Sequence, residues 1–137
     1  MSRWLKGEPV EVGRRAWWRF WAPRRWRFAE GGAFEHGPVG SALVTEIPAG
    51  FVFDNSMPWF LAWLFPRQMR RRMRRGCGLH DWLRTRRAWS LAAGDAAFMD
   101  AIACDAVREP WLTAAWWGVR TNKSRRFPPA DTPDPEE

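Results

Sequence analysis

His80 and Asp95 are the two residues whose chemistry and spacing could make a proton-transfer pair. An imidazole held by a carboxylate has its tautomer fixed and its basicity raised, which suits it to activate a water. Asp95, Phe98 and Ile102 follow i, i+3, i+7 spacing, so the carboxylate falls on the apolar side of its helix. A buried carboxylate without a partner is costly, and this one therefore calls for a neighbour. His80 shares a side with Leu83 on the preceding helical segment, and a short connection makes the two helices antiparallel neighbours. Asp81 projects about 100° round the same helix, where it could face a cation. Asp54, within Phe53-Asp54-Asn55-Ser56, stands where a strand ends and an oxygen-rich loop begins. Each residue also has a plainer account. The His–Asp pair can be a structural hydrogen bond, and Asp54 can cap a turn with Ser56.

The elements that must position these residues divide the chain into a strand-like front and a helical back. Pro9 to Phe28 is rich in Trp, Phe, Val and Arg, and Pro23 and Gly31-Gly32 punctuate it, which predicts hairpin strands. A second strand region covers Ala42 to Glu46, followed by a turn at Pro48-Ala49-Gly50. Phe51 and Phe53 then share one face of a further strand. After Pro58 the pattern turns helical. Gly76 and Gly78 interrupt Arg67 to Arg87, predicting a basic helix, a break, and a helix from about Cys77 to Arg87. Ser90 is placed to cap a helix from Leu91 to Val107, and Pro110 suits the first turn of a last helix through about Arg120. The expectation is an α+β domain over residues 1–127, with N-terminal β-hairpin strands and three C-terminal helices. Residues 128–137 form an acidic, proline-rich tail expected to be disordered.

At 137 residues the chain can bury one modest core. It has 12 Trp and no Tyr, a bias that GC-rich codon usage explains as readily as any function. Its net charge of +7 is uneven: Arg67, Arg70, Arg71, Arg72, Arg74 and Arg75 crowd one stretch. Such a cluster attracts phosphates on nucleic acid or on lipid headgroups, although a solvated helix face is its commoner meaning. Cys77 and Cys104 are too few for a disulfide scaffold. On antiparallel helices in register at His80 and Asp95 they are offset by roughly 9 Å, beyond disulfide reach, so two free thiols are expected. Met1 to Val10 lacks the apolar segment of a signal peptide, and Met57 to Phe65 falls short of the ~20 residues of a spanning helix. The expectation is a chain that is soluble as synthesised, in a reducing cytoplasm or incorporated into a particle.

Several of these residues resemble a phage-encoded family of unknown function. The matching segments are Ile47-Pro48-Ala49-Gly50-Phe51-Val52-Phe53-Asp54 with Ser56 and Pro58, His80-Asp81-Trp82-Leu83, and Asp95 with Phe98. The family usually closes with an aromatic-rich helix, here Trp116-Trp117-Gly118-Val119-Arg120, and the likeness runs from about Pro9 to Asn122. That core is in turn similar to bacterial phospholipase A2. Cys77-Gly78-Leu79-His80-Asp81 and Asp95-Ala96-Ala97-Phe98 match its paired helices, and Asp54, Ser56 and Pro58 match an upstream segment. The resemblance implies a phospholipase A2-like antiparallel helix pair, with His80 as water-activating base and Asp95 as its orienting partner. It further implies that Asp54, the Asn55 carbonyl and Asp81 would bind calcium, which would polarise an ester carbonyl. The chain departs from both families in placing Arg84, rather than Tyr, four residues after the histidine. A guanidinium there could pair with Asp95 and compete with His80 for it.

Two functions follow from this combination. One is a phage virion or accessory protein that keeps the phospholipase-like core for structure or binding. Its contact surface would be Arg67, Arg70, Arg71 and Arg74, and its partners other virion proteins or lipid headgroups. The other is a calcium-dependent lipid esterase acting on the host envelope, with Trp59 to Phe65 as an interfacial stretch. Nucleic acid is not expected as a specific ligand, because the arginines are not interleaved with aromatics. A metal phosphohydrolase would need His36, but Glu35-His36-Gly37-Pro38 reads as a loop.

Overall fold

The structure is a computed structural model that describes residues 2–13, 25–54, 64–85 and 90–121. Six strands precede three helices: β1 (Arg3–Lys6), β2 (Val10–Glu11), β3 (Arg25–Phe28), β4 (Gly32–Glu35), β5 (Val44–Ile47), β6 (Phe51–Asp54), α1 (Arg67–Thr85), α2 (Leu91–Cys104) and α3 (Trp111–Thr121). The fold is α+β, as the alternation and helical periods predict. The strands form two antiparallel three-stranded sheets, ordered β1-β4-β5 and β2-β3-β6. In β3 the alternation is strict: Trp26 and Phe28 are buried, while Arg25 and Arg27 face solvent. Trp26 pairs with Phe53 and Phe28 with Phe51, so one aromatic face continues across β3 and β6. Phe28 and Phe53 stack with ring centroids 5.0 Å apart.

β1 and β4 lie outside the regions that sequence pattern marks as strands. Burial explains the miss at β4: all four residues of Gly-Ala-Phe-Glu are enclosed, so no polar alternation is visible. Its last residue, Glu35, is a strand residue rather than a loop residue. Glu35 accepts hydrogen bonds from Arg3 Nε (2.8 Å) and Gly40 N (3.0 Å), which bind β1 and the following loop to β4. These bonds, the arginine's first, hold the Glu35 carboxyl below its ordinary value of 4.5. Burial lowers neighbouring His36 from its ordinary 6.5, against a smaller opposing effect of Asp100. Both groups therefore take up protons more readily in the unfolded chain, and both make stability fall on acidification. His36 acts first, as pH drops below about 6.5, and Glu35 follows below about 4.5. In urea titrations across this range, His36→Gln should flatten the first loss and Glu35→Gln the second. Unchanged acid profiles in both variants would refute the assignment.

α1 is one continuous helix, which corrects the break expected at Gly76 and Gly78. The two glycines are sites of close approach instead. A Cβ on Gly76 would lie 2.5 Å from Ile102 Cγ2 of α2. A Cβ on Gly78 would meet the rings of Phe28 and Phe53 beneath the helix. Opposing contacts run Gly76 with Ile102, His80 with Asp95, and Leu83 with Gly94, so α1 and α2 are antiparallel. Ser90 caps α2 as expected, its hydroxyl accepting from Ala93 N at 3.1 Å. The helix stops at Cys104, three residues earlier than the periodicity suggests. Ala106 adopts φ 63°, and the Val107 N–H turns back to the Ile102 carbonyl at 3.1 Å. Two arginines of α1 fix this end: Arg72 donates to the Ala106 carbonyl at 2.9 Å, and Arg75 grips the Asp105 carboxylate with Nε and NH2. Pro110 immediately precedes α3. Phe65 packs against Trp111, setting the start of α3 beside the start of α1.

Phe28, Phe34, Met73, Leu79, Leu83 and Ile102 are the largest fully enclosed side chains and mark the core between sheets and helices. No described helix is long and apolar enough to cross a membrane. The expected disordered tail, and Trp59 to Trp63 of the expected interfacial stretch, lie outside the described residues. Of that stretch Leu64 is exposed and Phe65 is buried.

Candidate functional site

α1 and α2 bring His80 and Asp95 together in the core. Nε2 of His80 lies 2.8 Å from Asp95 Oδ1. Side-chain exposures are 7% and 9%, and the Phe98 ring sits over the imidazole at 5.2 Å between centroids. The pair follows from local sequence. Leu79 and Leu83 turn one face of α1 inward, and Asp95, Phe98 and Ile102 do the same on α2. With Asp95 ionised, the Nε2 proton is donated to it, which makes Nδ1 the basic nitrogen of the ring. Arg84 is the residue expected to compete for that carboxylate. Among the described residues the hydrogen-bond partner of the Asp95 carboxylate is His80, and the guanidinium one turn along α1 makes no ion pair with it.

Of the three residues expected to hold calcium, Asp81 alone has a described side chain. Phe51 of β6 packs edge-on against Trp82 at 5.2 Å, and Phe53 lies beneath Gly78. β6 thus packs along α1. The side chain of Asp54, and all of Asn55, fall outside the described residues. Among the described side chains no group of three His, Cys, Asp or Glu could hold a metal ion.

The arginine stretch separates into two classes. Arg72 and Arg75 clamp the α2–α3 turn, and Arg75 also lies 3.5 Å from Glu8. Arg74 stacks 3.4 Å from the centre of the Trp26 ring on the central strand of the β2-β3-β6 sheet. Arg67 and Arg71 are exposed and Arg70 is half-buried. Arg74, the fourth residue expected on a binding surface, is likewise half-buried.

A cleft of about 360 Å³ lined by Ser2, Gly37, Pro38, Asp100, Ala103 and Cys104 was not anticipated. Ser2 Oγ donates to Asp100 and accepts from Gly37 N, while the Cys104 thiol donates to the Ser2 carbonyl at 2.7 Å. Burial, then Asp100 and Asp105, push the Cys104 thiol up, so it stays protonated. Cys77 is buried, and both cysteines are free, in line with their offset along antiparallel helices. Ser2 and Asp100 are 98 residues apart with no motif joining them, so only folding reveals the cluster.

A family model described as "Protein of unknown function (DUF1353)" matches residues 34–119, more than half of the chain. The chain belongs to the DUF1353 family. No curated protein and no solved structure matches it. The DUF1353 span opens in β4 and closes within α3, so it contains His80, Asp95, Asp81, Arg84 and the whole arginine stretch. β1, β2 and β3 precede it, although β1 pairs with β4 and β3 with β6.

Proposed function

We propose that this DUF1353 protein is a phage or prophage virion or accessory protein whose phospholipase A2-like helix pair serves as a scaffold. In this reading the arginine face of α1 is the binding element, and its partners are other virion proteins or anionic lipid headgroups. The observation that carries the reading is the enclosure of the pair. His80 and Asp95 are 7% and 9% exposed with Phe98 over the imidazole, whereas a general base must touch the water it activates. A sealed pair of this kind contributes by joining α1 to α2.

One observation favours calcium-dependent ester hydrolysis at the host envelope as the competing function. Asp95 engages Nε2 and so fixes the tautomer that a water-activating Nδ1 needs. Calorimetry with calcium on the full chain and on Asp81→Ala, with phosphatidylglycerol vesicles assayed for fatty-acid release on the same samples, separates the two. The scaffold reading expects no heat that depends on Asp81 and no release. Calcium binding that Asp81→Ala abolishes, together with release that His80→Gln abolishes, would replace it with the esterase.

A further inference from the structure

Of the six arginines in the first half of α1, Arg67, Arg70 and Arg71 are the ones that the fold itself does not use. Arg72, Arg74 and Arg75 are engaged by the Ala106 carbonyl, the Trp26 ring and Asp105. Among the described residues no ion pair or hydrogen bond satisfies the other three guanidinium groups, and Arg70 Nε is buried without an acceptor. They sit at i, i+3 and i+4, where like charges repel. They also occupy the start of a helix whose first turn carries no acid, at the positive end of its dipole. The patch is thus a cationic surface lacking the anion that both effects call for.

The chain carries a matching anion. Asp131, Asp134, Glu136 and Glu137 lie within its last seven residues, and residues 128–137 contain no Lys or Arg. Basic Lys123, Arg125 and Arg126 fall earlier, in the stretch that would lead away from α3. Reach is sufficient. Phe65, two residues before α1, packs on Trp111 at the start of α3, and an 11-residue helix is about 16 Å long. From Thr121 to Asp131 an extended chain spans up to about 33 Å. Pro128, Pro129, Pro133 and Pro135 suit an extended path, in which residues three apart, such as Asp131 and Asp134, fall on one side. We propose that the acidic segment Asp131–Glu137 docks in cis on Arg67, Arg70 and Arg71 and masks that face. The proposal holds whether or not an anionic virion partner competes for the same residues.

The test is a nitroxide on Thr132→Cys in the full chain, with Cys104→Ser, which keeps a donor to the Ser2 carbonyl, and with Cys77 left buried. In salt of about 0.01 M, where the Debye length is about 30 Å, the amide signals of Arg67 to Arg71 should lose most of their intensity. They should recover at about 1 M, where it is about 3 Å, and in the labelled Arg67→Gln/Arg71→Gln variant. Undiminished signals at low salt would overturn the proposal. So would broadening centred on another surface. Equal broadening when label and observed nuclei are on different molecules would also overturn it, because the segment would then bind a second copy.

Discussion

Gly78→Ala is expected to remove a large part of the protein's stability although it adds a single methyl group to a helix. In an exposed helix this exchange stabilises by about 1 kcal/mol. Here the new Cβ would meet Phe28 Cε2, and would lie 2.8 Å from Phe28 Cζ and 2.8 Å from Phe53 Cε1. Neither ring can yield: they are 0% and 3% exposed and stack on one another. Overpacking of this kind costs about 1–3 kcal/mol and sometimes more, against a total of roughly 5–15 kcal/mol for a domain. The loss should therefore exceed the gain, with the urea midpoint falling by the corresponding amount. Gly94→Ala is the control. Its nearest neighbour, Leu83 Cβ, is 4.0 Å from the added carbon, so that variant should be as stable as the parent or more so. Equal stability of the Gly78 and Gly94 variants would mean that α1 does not press on the aromatic sheet as described.

Removing one member of the His80–Asp95 pair should be more damaging than removing both. His80→Leu leaves a carboxylate at 9% side-chain exposure without its partner. Breaking a buried pair in this way costs about 3–5 kcal/mol, while replacing both members with apolar groups of similar volume is often neutral. His80→Leu/Asp95→Leu is accordingly expected to recover most of the stability that either single change loses, measured as a coupling energy in urea unfolding. Asp95→Asn, which retains an oxygen acceptor, should fall between the parent and His80→Leu. This outcome is what a scaffold requires. A double variant as unstable as the single ones would show that the pair holds α1 and α2 through more than its mutual bond.

The sequence by itself determined the α+β order, the Ser90 cap, the strand faces of Phe51 and Phe53, and the meeting of His80 with Asp95. Each rests on short-range periodicity: two-residue alternation in β3, and three-, four- and seven-residue spacing on α1 and α2. Periodicity works there because one face of each element is buried and the other is wet. Where burial is complete or contact is long-range, the signal disappears. β4 is enclosed on all sides and shows no alternation. Gly76 and Gly78 look like helix breakers locally, and only the approach of Ile102, Phe28 and Phe53 explains why a helix carries glycine there. The arginines of α1 look alike in the sequence, yet Trp26, Asp105 and the Ala106 carbonyl assign three of them to the fold. Those partners come from β3 and from the end of α2, far away in the chain. Local spacing fixes which face a side chain occupies, and tertiary packing alone decides what that face meets.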